Sequence, residues 1–481
     1  MNTKTLCLLL GILPAASAGP QPADAPAAPA MFRYSPAHTA ALAAPGPALA
    51  GLAWAFTTGG AVRSTPAVAG GTAVFGSNDG FLYALDLKTG AERWRVKLGG
   101  DVSSSPAIAD GRVLVMAADG RLCAFRLADG KPIWTRPTGA DLSLGSDPRT
   151  FDLWVSSPTV ADGVVYIGGG DGKVYSIDAD SGRVRWTYAT RSRVRSSPAV
   201  ANGSVFVGSF DGQVYALDAA TGAERWKFQT GDAVQSSPAV ADGVVVVGSR
   251  AMAVFGLDAK TGALRWRRPH SGSWILGSAA VAGGRVIIGG SDSHRVEALD
   301  LQTGAALWSA NVGARVLGSP VVAGDTVIYG GEDFRVYTLD AATGLGRSIE
   351  VTEGAIYSSV VLAGDLALVG SDDRRLYAFH VQPAGEARDS APAELLRAAV
   401  GRYVTESGDD YTLSLRGGRL CLEYCTYPPA LVIVQGDGSF ACPMLWGMSG
   451  RLRREPGQPV AALAIDLAGQ ESLARRVVSG N

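Results

Sequence analysis

Residues 196–228 read SSPAVANGSVFVGSFDGQVYALDAATGAERWKF, and four short strands joined by three tight turns account for almost every position. Ser197 to Ala201 is a short apolar run, and Asn202-Gly203 is a two-residue hairpin turn that needs positive φ. Ser204 to Ser209 makes a second strand, Asp211-Gly212 a second turn and Val214 to Asp218 a third strand. Ala220-Thr221-Gly222 closes a further turn before Glu224 to Phe228, the fourth strand, which carries Trp226. In the next unit Val244 to Val247 is apolar on both faces, so each sheet must be covered on both sides. Radially stacked four-stranded blades meet that requirement, whereas a single sandwich would alternate apolar and polar positions.

The unit recurs. Its opening pair appears at Ser105-Pro106, Ser157-Pro158, Ser197-Pro198, Ser237-Pro238 and Ser319-Pro320, with Thr65-Pro66, Ser278-Ala279 and Ser359-Val360 as degenerate members. Tryptophans mark the fourth strands at Trp54, Trp94, Trp134, Trp186, Trp226, Trp266 and Trp308. These are read as blade-docking residues, their periodic placement being explained by packing. The last unit runs out after Tyr377-Ala378-Phe379, and Leu52 to Phe56 supplies its missing fourth strand from the other end of the chain. The expected fold is therefore all-β, an eight-bladed β-propeller of four-stranded blades closed by an N-terminal strand. A small C-terminal antiparallel β-domain follows it.

Composition agrees with many strands and tight turns. There are 62 glycines in 481 residues, about twice the usual ~7%. A net charge of −1, from 43 Lys plus Arg against 44 Asp plus Glu, excludes a basic nucleic-acid binder. No apolar run reaches the ~20 residues of a membrane span. Residues 1–18 read as a signal peptide, with Lys4, an apolar run from Leu6 to Leu13 and Ala16-Ser17-Ala18 before the cleavage point. The expected location is periplasmic or secreted, without a lipid anchor. Residues 19–48 are rich in Ala and Pro and read as an extended linker. The propeller spans 49–382, a second linker 383–392, and the small β-domain 393–481.

Ala219-Ala220-Thr221-Gly222 followed by Trp226, with its repeats, resembles the tryptophan-docking propeller repeat of pyrroloquinoline-quinone proteins. That resemblance implies a propeller over residues ~50–382. It points to two activities, since the family includes quinoprotein alcohol dehydrogenases and a cofactor-free lipoprotein of the outer-membrane barrel-assembly machinery. The dehydrogenases typically carry adjacent cysteines, a calcium ion and an aspartate base. Here Cys7, Cys123, Cys421, Cys425 and Cys442 are all separated, and no residue carries over as a calcium ligand or base. The four histidines lack metal-ligand spacing. Gly168-Gly169-Gly170-Asp171-Gly172 joins two strands, so it is no phosphate loop. No catalytic or metal site is assigned.

The turns on one face of the ring are monotonous, and on the other they diverge. Three residues before the Pro site, successive units carry Arg63, Ser103, Val155, Arg195, Gln235, Leu276, Leu317 and Tyr357. Just before the Asp-Gly turn they carry Asn78, Ala118, Gly170, Phe210, Arg250, Asp292, Glu332 and Asp372. An insertion of 12 residues, roughly Thr138 to Trp154, projects from this same face. The expected binding face is a mouth lined by Arg63, Arg195, Gln235 and Tyr357, flanked by Asn78, Phe210, Arg250, Asp292, Glu332 and Asp372.

After the repeats, Ala393 to Ala399 reads as a short helix, followed by short alternating strands. Cys421, Cys425 and Cys442 are the disulfide candidates, one pair and one leftover thiol. The leading functional expectation is an exported, monomeric propeller scaffold that binds a protein or peptide partner at the envelope, with no cofactor. The alternative is a pyrroloquinoline-quinone-dependent oxidoreductase acting on alcohols or sugars, which would also need calcium.

Overall fold

The computed structural model describes residues 30–43, 46–141, 152, 154–383, 390–416, 418–425, 427–442, 444–445, 448–455, 457–467 and 469–477. The signal peptide, residues 19–29 of the first linker and most of the second linker lie outside them.

In the repeat quoted above, the strands are Ala199–Ala201, Ser204–Gly208, Gln213–Asp218 and Glu224–Gln229, all antiparallel. The first turn has Asn202 at φ 50° and Gly203 at φ 69°, the left-handed pair that a two-residue hairpin demands. Asp218 organises the last turn: its carboxylate accepts from the amides of Ala220 and Thr221 and from the Thr221 hydroxyl, and pairs with Arg225 at 2.7 Å. The Arg225 bond, followed by those from Thr221, lowers the Asp218 pKa to about 2. Each fourth-strand tryptophan reaches the following repeat. Trp54, Trp94, Trp134, Trp186, Trp226, Trp266 and Trp308 donate their indole N–H to the carbonyls of Leu87, Leu127, Ala179, Ala219, Ala259, Leu301 and Ala341 at 2.8–3.1 Å. The indole lies on the turn glycine beyond that carbonyl, where a Cβ on Gly262 would sit 2.6 Å from Trp226.

The blade count departs from the expectation. Seven four-stranded sheets stand as separate blades. One is the closing blade, in which Pro47–Thr57 pairs with Arg375–Pro383, Leu366–Gly370 and Val361–Ala363. The strands Val321–Ala323, Thr326–Gly330, Arg335–Asp340 and Gly346–Val351 do not form an eighth separate blade. They belong to a 14-stranded sheet that also contains the C-terminal strands, so neither the eight-bladed count nor the separate small β-domain holds. The reason lies at the outer edge. Gly346 replaces the usual bulk there and Met444 packs against it, where a Cβ would meet the Met444 sulfur. The Gly346 amide donates to Pro429 O at 2.8 Å, and the edge pairs in parallel with Ala430. The other fourth strands carry a tryptophan at their third or an equivalent position; this one, Gly-Arg-Ser-Ile-Glu-Val, has none.

The C-terminal part is a helix, Ala393–Ala399, and strands from Gly401–Thr405 to Gln470–Arg476. Its core unites Leu395, Tyr403, Leu413, Phe440 and Leu463, continuous with Tyr329 and Tyr337 of the propeller.

The described part of the first linker is packed, not extended in solvent. Residues 30–42 cross the hairpin-turn end of the central channel, and Ala41–Leu42 pairs in parallel with Val322 and Ala323. The inner-strand amides of Ile108, Val200, Val240, Val281 and Val322 donate to the carbonyls of Ala30, Pro36, Ala37, Thr39 and Ala40 at 2.6–2.9 Å. Arg33, Tyr34, His38 and Ala40 adopt left-handed backbone conformations that let the segment curl beneath the ring.

Candidate functional site

Two concentric layers of inner-strand residues build the channel wall. In the repeat Ser-Ser-Pro, the first serine turns outward into its own blade: the Ser64, Ser156, Ser196, Ser236 and Ser358 hydroxyls accept from Gly76, Gly168, Gly208, Gly248 and Gly370 N. The second hydroxyl links neighbouring repeats. Thr65 N donates to Ser105 Oγ, Ser105 N to Ser157, Ser157 N to Ser197, Ser197 N to Ser237, Ser237 N to Ser278 and Ser278 N to Ser319, all at 2.9–3.0 Å. Ser359 N donates back to Thr65 Oγ1 at 3.0 Å. These hydroxyls are structural acceptors, each engaged by the neighbouring amide, and none has an adjacent base.

One step toward the divergent face, Arg63, Arg195, Gln235 and Tyr357 line a narrow cavity of about 60 Å³ together with Ser103, Val155, Leu276 and Leu317. Phe32 from the N-terminal segment and Trp154 from the insertion also line it. The flanking residues pair with this inner ring. Arg63 donates to both oxygens of Asp372, at 2.9 and 2.7 Å, and lies 5.1 Å over the Tyr357 ring. Those Asp372 bonds raise the Arg63 pKa. Tyr357 donates to Glu332 at 3.0 Å; burial, then that carboxylate, pushes the phenol up to about 12. Arg250 donates to Gln235 Oε1 at 2.8 Å and stands 5.0 Å over both Phe210 and Trp274. Asp292 pairs with Arg315 at 3.1 Å and is exposed. Asn78 is tied through its backbone to Ala61 O, away from these pairs.

Sequence reading missed the partners of the buried cation. Asp152 accepts from Arg195 at 2.7 Å and from Arg193 at 2.8 Å, and Asp141 accepts from Arg195 as well. Arg195 is 7% exposed; burial alone would lower its pKa, but the Asp152 and Asp141 bonds outweigh it and the net shift is upward. Trp154 packs edge-on against Tyr357, with centroids 6.2 Å apart. The available signal was the acidic pair flanking the insertion opposite Arg193-Val194-Arg195, a relation between residues more than forty positions apart.

The three disulfide candidates are unpaired: Cys421 and Cys442 are buried in different clusters and Cys425 is exposed. Among the described residues, no helix is long and apolar enough to cross a membrane.

The sequence matches the family described as "Outer membrane protein assembly factor BamB" over residues 42–150, 143–274 and 206–389. Similar solved structures include BamB from Moraxella catarrhalis, with a TM-score of 0.57 and 20% identity, covering 69% of this chain and 100% of that one. A europium-containing methanol dehydrogenase gives 0.60 and 15%, covering 73% and 98%. The quinohemoprotein alcohol dehydrogenase of Comamonas testosteroni gives 0.60 and 17%, covering 76% and 84%. At these identities the structural likeness is one of fold alone. No match is found among curated proteins.

Proposed function

The chain belongs to the family of the outer membrane protein assembly factor BamB, and from that premise we propose that it is an exported propeller scaffold. In this reading it is periplasmic or secreted, and holds a protein or peptide partner on the face around Arg63, Arg195, Gln235 and Tyr357. The observation that carries the reading is the filled channel. Phe32 closes the cavity on one side, Trp154 reaches it on the other, and about 60 Å³ is left. That is room for a few waters, far below the ~300–1,000 Å³ of small-molecule sites. The useful surface is then the broad rim, where Asp292 and Arg315 are exposed.

The quinone alternative fits these residues poorly. A tricyclic quinone needs a slot between flat walls, and the space is instead crossed by the Arg195–Asp152 pair and the Trp154–Tyr357 contact. Among the described residues, no group of three or more His, Cys, Asp or Glu side chains is arranged to take its calcium.

Site-specific photo-crosslinking tests the reading. A benzophenone side chain at Asp292, on the divergent face, should capture one discrete envelope partner in living cells. The same group at Lys260, on the opposite face, should not. Equal capture from both positions, or quinone- and calcium-dependent dye reduction by the purified chain, would refute it.

A further inference from the structure

On the divergent face, the turn between the second and third strands of each repeat places one residue in the left-handed region. In the first four repeats it is a glycine, Gly80, Gly120, Gly172 or Gly212, at φ 76–83°. In the last four it is Met252, His294, Phe334 or Arg374, at φ 47–74°. The backbone does the same work in both sets. Its carbonyl accepts from the amide just after the fourth strand, as Gly212 O does from Thr230 N at 2.9 Å and Phe334 O from Thr352 N at 2.7 Å. Glycine would hold this turn without strain, whereas a side chain is strained there, a bulky one most of all. Outside these four and the N-terminal segment, the left-handed non-glycines among the described residues are Cys425 and the hairpin-turn Asp110, Asp162, Asn202 and Asp242. Asn and Asp tolerate that conformation; Met, Phe and Arg do not share the tolerance.

Packing does not account for the four side chains. Met252 is 42% exposed and Phe334 46%, and His294 and Arg374 are exposed too. Each apolar member has an exposed apolar neighbour at the end of the fourth strand. Pro269 pairs with Ala253, next to Met252, and Val351 pairs with Arg335, next to Phe334. Strain kept for side chains that stay in solvent points to a binding surface, and Met, Phe and Arg are the types enriched at interfaces.

The charge around Phe334 says what the surface takes. The carboxylates beside it are engaged: Asp292 with Arg315 at 3.1 Å, Glu332 with Tyr357 at 3.0 Å, Glu353 with Arg375 at 2.6 Å and Asp372 with Arg63 at 2.7 Å. Arg295 and Arg374 are exposed and make no ion pair among the described residues. They belong to the sixth and eighth repeats, on either side of Phe334 in the seventh. An exposed carboxylate without an ion pair, Asp232, lies at the far end of the arc, toward Met252.

We propose that the partner lies along this arc of turns, and that the arc takes an extended peptide segment in which an apolar side chain is flanked by carboxylates. The apolar side chain would lie on Phe334 and Val351, and the carboxylates on Arg295 and Arg374. The proposal rests on the partner-face reading and narrows it to half of the rim and to one class of peptide.

Phage display of a random dodecapeptide library on the purified chain tests it. The selected peptides should be rich in Asp and Glu around Leu, Phe or Trp. One of them, synthesised with a fluorophore, should bind in an anisotropy titration, and more weakly as salt is raised. The variant combining Met252→Gly, His294→Gly, Phe334→Gly and Arg374→Gly should bind that peptide at least about tenfold more weakly. Its melting temperature should hold or rise, because glycine relieves the left-handed positions. Combining Arg295→Glu with Arg374→Glu should turn the selection toward Lys- and Arg-rich peptides, a change that a structural role would not produce. Selection of basic or uncharged peptides by the parent, or a fall in melting temperature accompanying the lost binding, would overturn the proposal. Equal affinity of the glycine variant and the parent would overturn the arc alone and leave the partner-face reading standing. That reading falls instead on the crosslinking comparison between Asp292 and Lys260, in which the four turn residues are unchanged.

Discussion

Gly262→Ala asks whether the glycine after each threonine turn exists to seat the tryptophan of the preceding blade. Gly262 has φ +73°, and a Cβ there would stand 2.6 Å from Trp226 Cδ2 and 2.8 Å from Cε3. Gly111, in a hairpin turn of another repeat, has φ +72° with nothing within 4 Å of its Cβ position. Both alanines carry the same left-handed penalty of ~1–2 kcal/mol. Only Gly262→Ala must also move an indole that is 8% exposed. Moving it forfeits the Nε1–H bond to Ala259 O at 3.1 Å, at ~1–3 kcal/mol for the orphaned donor, and adds overpacking strain of ~1–3 kcal/mol. The excess of Gly262→Ala over Gly111→Ala should therefore be ~2–6 kcal/mol by these principles. Guanidinium unfolding measures both, with the slope checked for constancy. In a Trp226→Ala background the excess should vanish, since the clash partner is gone. If the two glycines cost the same within ~0.5 kcal/mol, the docking argument fails.

Four further outcomes follow from the same geometry. His38 is buried, and desolvation, followed by the Arg33 charge, lowers its pKa to about 3. The unfolded chain protonates near ~6.5, so stability present above that pH should fall by up to ~1.4 kcal/mol per unit as pH drops toward 3; His38→Asn should flatten that part of the urea-midpoint profile. Ser197→Ala orphans the Ser157 amide and should cost ~1–3 kcal/mol by thermal unfolding, whereas Ser197→Thr, the residue the ring already uses at Thr65, should cost much less. Asp152→Asn should destabilise more than Asp141→Asn in the same assay, because the Asp152 side chain is 13% exposed and that of Asp141 38%. Native thiol labelling should modify Cys425 well ahead of Cys421 and Cys442, since burial raises Cys421 to about 11 and Cys442 to about 12; rapid labelling of Cys421 or Cys442 would contradict the buried placement.

The parts of the fold that were legible in the sequence are those carried by side chains at a fixed period. Gly208 must be glycine because a Cβ would strike Val234 at 2.3 Å, and the same relation recurs from Gly76 with Val102 round to Gly370 with Val62. A forty-residue repeat exposes such relations at once. The mouth residues were legible for the same reason, being the positions where the period holds and the chemistry varies. The fate of the repeat ending at Gly346–Val351 was not, because it depends on a single methionine, Met444, about a hundred residues away. The ion pairs that neutralise Arg195 were hidden likewise, since Asp141 and Asp152 belong to the one stretch with no periodic counterpart.

The N-terminal segment fails to announce itself for a different reason, and that reason bears on function. It binds the ring through backbone carbonyls of Pro36, Ala37, Thr39 and Ala40, groups that every residue has, so its Ala/Pro composition reads as a tether. A ring of radial blades leaves one row of inner-strand amides facing the axis, and each needs an acceptor once water is excluded. Residues 30–42 supply acceptors for most of that row from within the chain. This commits the axis of the propeller to structure. Removing residues 30–43 should therefore expose the inner amides and lower thermal stability, while an intact segment keeps the channel closed to any ligand large enough to need it.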